Sequence, residues 1–274
     1  MKTSLFAGIF IVVLGAAFVL TLGMAARAGE KPARHGQPGT LAQAGQPEQA
    51  AQGVKQGSMI RLPAPSTEGG TPLVQAISAR RSVRAYDGKP IPLAAVSQLL
   101  WAAQGVTQPA TKAPATWNPK WGEWRGGLRA APSAGALFPL EVYVLATSVD
   151  GLDRGLYRYV PAEHALVRVG SAEANAKDLA QAALGQQDVA QAPVAVVITG
   201  VYERTAVKYG DRAPRYVHIE VGAAAENLML QADALGFGTV YIGAFNDDAV
   251  SKTLGLPADH APLGIIPVGH PAGR

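Results

Sequence analysis

The distribution of apolar and polar positions divides the chain into three stretches. Thr3 to Ala26 is an apolar run without a charged residue. At about 1.5 Å per helical residue, such a run is long enough to cross a bilayer core of roughly 30 Å. Residues 29 to 70 are rich in Gly, Pro, Gln and Ala and hold no sustained apolar period, which is the composition of a tether. From 71 to 274 apolar residues recur at helical and strand spacing, so one folded domain is expected there.

Within that domain, Thr71 stands as an N-cap, Pro72 suits a first helical position, and Leu73, Val74 and Ile77 give one apolar face. A second helix is expected over Pro92 to Ala103, closed by Gly105, and a third near Ala172 to Leu184. The clearest helix runs from Tyr216, where Val217, Val221, Ala224, Leu228, Gln231, Ala232 and Leu235 recur and Gly236 supplies a stop. A short helix capped by Asn246 or Asp247 follows. Runs rich in Val and Ile at Glu141 to Ala146, Ala192 to Gly200, Gly238 to Phe245 and Pro262 to His270 read as buried strands, and Gly155 to Val169 as a hairpin. The pattern describes an α/β or α+β domain without internal repeat. Residues 108 to 131 form a long loop holding Trp117, Trp121 and Trp124, either functional or pinned to the body by those rings.

Composition narrows the chemistry. The chain has no cysteine, which removes disulfides, thiolate nucleophiles, Fe–S ligation and cysteine-type zinc sites. His164, His218, His260 and His270 form no pair at metal-ligand spacing, so no metal site is expected. The net charge of +4 is scattered and lacks an aromatic-interleaved basic run, which argues against nucleic acid as a partner. "ARA" at 26 to 28 offers a cleavage site, so residues 1 to 28 are read as a signal peptide or a transmembrane anchor. Either places the domain at the cell envelope, exported and periplasmic or membrane-anchored, although Arg27, Lys31 and Arg34 follow the run against the positive-inside bias.

Three segments are candidates for binding. "ARRSVRAY" brings Arg80, Arg81, Ser82 and Arg84 together after the first helix, a set suited to a phosphate or to a solvated helix end. "PSAG" (Pro132, Ser133, Ala134, Gly135) turns immediately before a buried strand, where glycine lets a ligand approach the backbone. "YIGAF" makes a second such approach at Ile242, Gly243 and Ala244. Neither is a dinucleotide fingerprint or a P-loop. The segment from Arg204 to Arg215 crowds cations before the long helix and includes Lys208 and Tyr209.

In order, "RRSVRAY", "PSAGALFPLEVYV", "GLYRY", "KYGDRAPRYVHIEVGAAAENLMLQADALGFGTVYIGAF" and "LGIIPVGHP" resemble the nitroreductase superfamily of flavoproteins, and within it the SagB-type, azoline-dehydrogenase-like branch. The resemblance runs from about residue 72 to 271. It implies a mixed sheet flanked by helices, with FMN at the interface of a homodimer. Arg80, Arg81, Ser82 and Arg84 would hold the phosphate and ribityl chain. Pro132 to Gly135 would pass along the flavin from the second subunit, and Glu220 and Gly222 at the helix start would present backbone to its N5 edge. Ile242, Gly243 and Ala244 would line the ring or phosphate side. Lys208 and Tyr209 match an adjacent lysine and tyrosine that serve as the acid/base element of that branch, and Phe138 stands where a tyrosine is usual.

Lysine and tyrosine ordinarily titrate near pH 10, and Arg204, Arg212 and Arg215 are close enough in sequence to lend a positive field. The expected activity is hydride transfer between flavin and a small organic or peptide-derived substrate. The alternatives are a nitroaromatic or quinone reductase and a non-catalytic flavin-binding module at the membrane.

Overall fold

The structure, a computed structural model, describes residues 57–169 and 176–273. The signal or anchor segment, the tether up to residue 56 and the start of the helix expected near Ala172 lie outside them. Among the described residues, no helix is long and apolar enough to cross a membrane.

The centre is a seven-stranded sheet built from β1 (Met59–Arg61), β5 (Leu140–Ala146), β7 (Gly155–Val160), β8 (Ala165–Arg168), β9 (Val194–Gly200), β10 (Gly238–Thr239) and β11 (Ala261–Gly269). Their spatial order is β1-β8-β7-β5-β9-β11-β10, and every neighbouring pair runs antiparallel. The α+β class is thus as expected, while the main sheet is antiparallel rather than mixed. Parallel pairing among the described residues is confined to β2 (Ile91–Pro92) with β6 (Val149–Asp150) and a single Ser82–Thr239 bridge.

The central strands read as continuous apolar runs because both of their faces are buried. Side chains alternate across a strand. Val194, Val196 and Ile198 of β9 therefore enter one core with Leu140, Val142 and Val144 of β5, while Ala195 and Val197 enter the other with Tyr143 and Leu145. The first core is roofed by α2 (Leu93–Gln104) and α6 (Ala213–Ala234), the second by α3 (Ala176–Ala182) and α7 (Asp247–Leu254). Each fully buried Val or Ile contributes about 1.5–3 kcal/mol. On α6 the face Val217, Val221, Ala224, Leu228 and Ala232 is buried, as its spacing predicts. Asn246 caps α7 by accepting from the Ala249 N–H at 2.8 Å.

Several expectations are corrected. The tether ends before residue 71: β1 pairs with β8, Leu62 is buried in the first core, and Ser66 exchanges hydrogen bonds with the Gln98 side chain at 2.8 and 3.0 Å. A three-residue strand is too short to display a period. Helix α1 (Leu73–Ala79) takes Pro72, not Thr71, at its N-cap, because the Thr71 hydroxyl donates instead to the Ala234 carbonyl. The expected apolar face of α1 does not turn inward: Ala76 is buried, whereas Leu73, Val74 and Ile77 are exposed.

The cationic segment before α6 is itself helical, as α5 (Tyr202–Tyr209) and a 3₁₀ turn. The run expected as a strand over Gly238 to Phe245 leaves the ladder after Thr239, and Ile242 returns only as a single bridge to Ile265. The ends of the long loop pair as β3 (Val106–Pro109) with β4 (Gly127–Arg129), and its three indoles stack edge to face around Trp117 at 5.5 and 5.2 Å.

If residues before 71 belong to the core, Leu62→Ala should cost about 2 kcal/mol or more. Thr67→Ala, on an exposed residue of the same segment, should stay within about 0.5 kcal/mol. Urea unfolding of both variants checks this, and an unchanged Leu62→Ala midpoint would return the segment to the tether.

Candidate active site

The site begins at one pair in the sheet, Leu140 opposite Gly200. The chain enters β5 at Leu140 from the turn Ser133–Phe138 and leaves β9 at Gly200 into α5, so the turn and the helix emerge from adjacent strands at the same edge. The Val201 amide donates to the Pro139 carbonyl at 2.9 Å and fastens the two exits together. Gly200 is required here, since a Cβ would stand 2.6 Å from Leu263 and 2.7 Å from Val217.

The turn is tightly wound. Gly135, Ala136 and Phe138 have φ of 64°, 54° and 47°, and the left-handed region is costly for the two residues that carry a Cβ. Hydrogen bonds hold it: the Phe138 amide donates to Ser133 Oγ at 2.9 Å, the Ala136 amide to the Ser133 carbonyl at 3.1 Å, and Arg204 Nη1 to the Phe138 carbonyl at 3.3 Å.

Lys208 and Tyr209, at the end of α5, converge on this turn. A Cβ placed on Gly135 would meet the Tyr209 hydroxyl at 2.9 Å and Lys208 Nζ at 3.0 Å. Glycine thus leaves the space the two functional groups occupy. The Lys208 ammonium also lies 4.0 Å over the Trp121 ring, a cation–π contact, and Tyr209 packs edge-on against Tyr216 at 4.9 Å. The expected positive field is only partly realised, because Arg204 is committed to Glu141 at 2.7 Å while Arg212 and Arg215 are exposed.

Glu220 lies in the third turn of α6 rather than at a helix start, and the same holds for Gly222. Their backbone groups belong to the helical ladder, so presentation of backbone to a flavin edge does not fit this position. What faces the turn is the Glu220 side chain. It is buried, and neither carboxylate oxygen completes a hydrogen bond. Burial pushes its pKa up to about 7, while the Ser133 hydroxyl, the Arg129 charge and the Ala134 backbone pull the other way without offsetting it. Gly222 is exposed, with open space where a side chain would stand.

The remaining candidates form a second group. The Val83 amide donates to the Thr239 carbonyl at 2.8 Å, which sets the Arg80 to Arg84 segment beside the start of the Ile242 to Ala244 stretch. Arg81, Ser82 and Arg84 are exposed, and Arg80 lies 3.9 Å from Glu226 of α6. Arg81 donates to the carbonyls of Ser78 and Arg80 at 2.9 and 2.8 Å. Ile242 is buried, whereas Gly243 and Ala244 are exposed. Helix α6 supports both groups, Glu226 reaching one and Glu220 the other, about 9 Å apart along its axis.

Trp121 stands out in the sequence only as one of three loop tryptophans, and its place beside Lys208, like that of Tyr216 beside Tyr209, is set by the fold.

Residues 77–270 match the sequence profile of the nitroreductase family. A protein of Methanocaldococcus jannaschii named as a nitroreductase is 42% identical over 190 residues, covering 69% of this chain and 86% of that protein. The microcin B17-processing protein McbC of Escherichia coli is 30% identical over 134 residues, 47% of this chain and 48% of McbC, so the match spans about half of each. A solved structure from Ralstonia eutropha, also named as a nitroreductase, superposes with a TM-score of 0.61 at 26% identity, covering 81% of this chain and 97% of that one.

Glu220 makes stability depend on pH with a defined sign. The unfolded chain loses this proton near pH 4.5 and the folded chain keeps it to about pH 7. Stability therefore falls as pH rises through that window, by at most roughly 3 kcal/mol. Glu220→Gln should abolish this fall and be the more stable form above neutrality. Urea unfolding across pH 4 to 8 tests the point, and parallel curves for the two proteins would refute it.

Proposed function

Because the chain belongs to the nitroreductase family, we propose that it is an FMN-dependent oxidoreductase of the azoline-dehydrogenase-like, SagB-type branch, acting at the cell envelope on a small organic or peptide-derived substrate. The observation that carries this reading is the convergence of the Lys208 ammonium and the Tyr209 hydroxyl on Gly135. A lysine and a tyrosine fixed side by side at a glycine turn form a proton-transfer element. Similarity to McbC over about half of each chain supports the branch.

The donor set fits FMN. Arg81 and Arg84 offer exposed guanidiniums and Ser82 a hydroxyl for a phosphate, with the half-buried Arg80 beside Glu226, and Gly243 and Ala244 offer exposed backbone near them. Bound there, the flavin would supply the two-electron acceptor for a hydride leaving the substrate. Tyr209, as a phenolate paired with the Lys208 ammonium, would take the substrate proton released with that hydride and become the neutral phenol. Lys208, held over Trp121 and exposed, would then give a proton to solvent and take the phenol's in return, restoring the phenolate.

A second copy of the chain completes the site. Leu73, Val74 and Ile77 of α1 are 65%, 78% and 57% exposed, and Ile219 of α6 is 64% exposed. Large apolar side chains left in water in this way are unfavourable and suit a homodimer. The dimer would bring the Pro132–Gly135 turn of one subunit, with Lys208 and Tyr209, toward the cationic segment of the other.

Tyr209→Phe and Lys208→Ala should leave FMN content near normal while slowing reduction of the bound flavin by a thiazoline-containing peptide by about 10²- to 10⁴-fold. Reoxidation by a quinone, followed as a separate half-reaction, should be unaffected. Retained peptide oxidation would favour a plain nitroaromatic or quinone reductase, and a bound flavin that no donor reduces would favour a non-catalytic module. Light scattering of the FMN-loaded chain should give a dimer, and Ile77→Asp should shift it toward monomer with weaker FMN retention. A monomer that holds FMN tightly would remove the shared site.

A further inference from the structure

Beside the turn, with Phe138 and Leu140 in its wall, lies a cavity of about 310 Å³ whose polar lining is dominated by arginine. Arg125, Arg129, Arg158 and Arg204 face it against two carboxylates, Glu123 and Glu141. Glu141 is already shared: Arg204 reaches it at 2.7 Å and Arg158 at 3.2 Å. Burial works to raise the Glu141 pKa, but these two partners outweigh it and hold the carboxyl below its usual range. Glu123 is exposed. Among the described residues, Arg125 and Arg129 form no ion pair within 4 Å.

These two cations are also poorly solvated. Burial lowers the pKa of both, that of Arg129 to about 10, and the Arg204 charge adds to the effect at Arg125. The Arg129 guanidinium lies 4.5 Å over the Phe138 ring and donates through Nη1 to Gln104 at 3.3 Å, yet its Nε–H is buried without a partner. The Gln104 amide nitrogen is likewise buried and unsatisfied. Buried donors left unpaired are destabilising, and a bound anion would relieve that. The rest of the wall includes Trp124, Phe138, Leu140 and Val160, which gives an apolar lining beside the charge. Its volume is at the lower end of the range for small-molecule sites, about 300–1,000 Å³.

We propose that this cavity binds the carboxylate of a small organic acid, with Arg125 and Arg129 on the carboxylate and the Trp124–Phe138 side around its apolar body. Planar guanidiniums match a carboxylate through paired hydrogen bonds, while the indole and phenyl walls offer little to an inorganic oxyanion. The site is separate from the cationic segment assigned to the flavin phosphate and does not depend on that assignment. Phe138 connects it to the turn on which Lys208 and Tyr209 converge, so an occupied cavity would fix the ring that ends that turn.

The test is calorimetric titration of the full chain, with FMN in excess to fill the Arg80–Arg84 segment, using benzoate, benzamide and inorganic phosphate as probes. Benzoate should bind saturably and raise the thermal unfolding midpoint, and benzamide should not. Arg129→Gln and Arg125→Gln should each weaken benzoate by about ten- to a hundredfold, with circular dichroism reporting that each variant is folded. Should Arg129→Gln fail to fold, the half-buried Arg125→Gln decides alone. The proposal is overturned if benzoate does not saturate at tens of millimolar, if benzamide binds equally, or if both folded variants bind as the parent does. Phosphate binding as tightly as benzoate would overturn the organic-acid assignment in favour of a bare oxyanion site.

Discussion

The candidate site depends on the register that sets Leu140 opposite Gly200. Once β5 and β9 pair in this way, the segment preceding one strand and the segment following the other must leave the sheet side by side. A shift of β5 by one residue against β9 would turn its alternating side chains to the wrong faces, exchanging Val142 and Val144 for Tyr143 and Leu145 in the core beneath α6. The register is therefore enforced by burial on two faces at once. The meeting of a left-handed turn with the end of α5 follows from it without any further long-range contact.

The turn then distributes its neighbours. Its three positive-φ residues divide the local space, with Gly135 against Lys208 and Tyr209, and Phe138 against Arg129. Ser133 accepts from the Phe138 amide within the turn and also lies near the buried Glu220, whose pKa it draws down. Strain of this kind persists only where the surroundings over-determine the backbone. Here the surroundings are two hydrogen bonds of Ser133 and the Arg204 contact to the Phe138 carbonyl. Arg204 is thereby a positioning group rather than a source of free charge.

The strands were legible in the sequence because burial on both faces leaves a continuous Val- and Ile-rich run, and α6 because its buried stripe repeats over 22 residues. What escaped the sequence was short or distributed. Met59–Arg61 is strand only because β8 offers it an edge. Helix α5 hides its period because its cations dominate the composition, though Tyr202, Thr205 and Tyr209 recur on one face. Glu220 is expected at a helix start when the periodic stripe is read from Tyr216, although Pro214 in the first turn marks an earlier beginning. The arginine cavity could not be read at all: its members stand at 125, 129, 158 and 204, and the fold alone brings them together.

The two faces of the turn differ in how they treat charge, and that difference constrains what each can do. On one face the Lys208 ammonium is exposed and rests on an indole, an arrangement that keeps it hydrated and free to exchange protons with solvent. At Phe138, by contrast, Arg129 is half-buried, stacked on the ring and left with an unpaired Nε donor. Glu220 lies near Arg129, yet burial holds its pKa near 7, so below neutrality it is mostly protonated and supplies little countercharge. Glu141 is the larger countercharge on Arg129, but it is already shared between Arg204 and Arg158, so the cavity keeps an excess of cations. The turn thus carries an exposed ammonium against Gly135 and a half-buried guanidinium against Phe138, three residues apart.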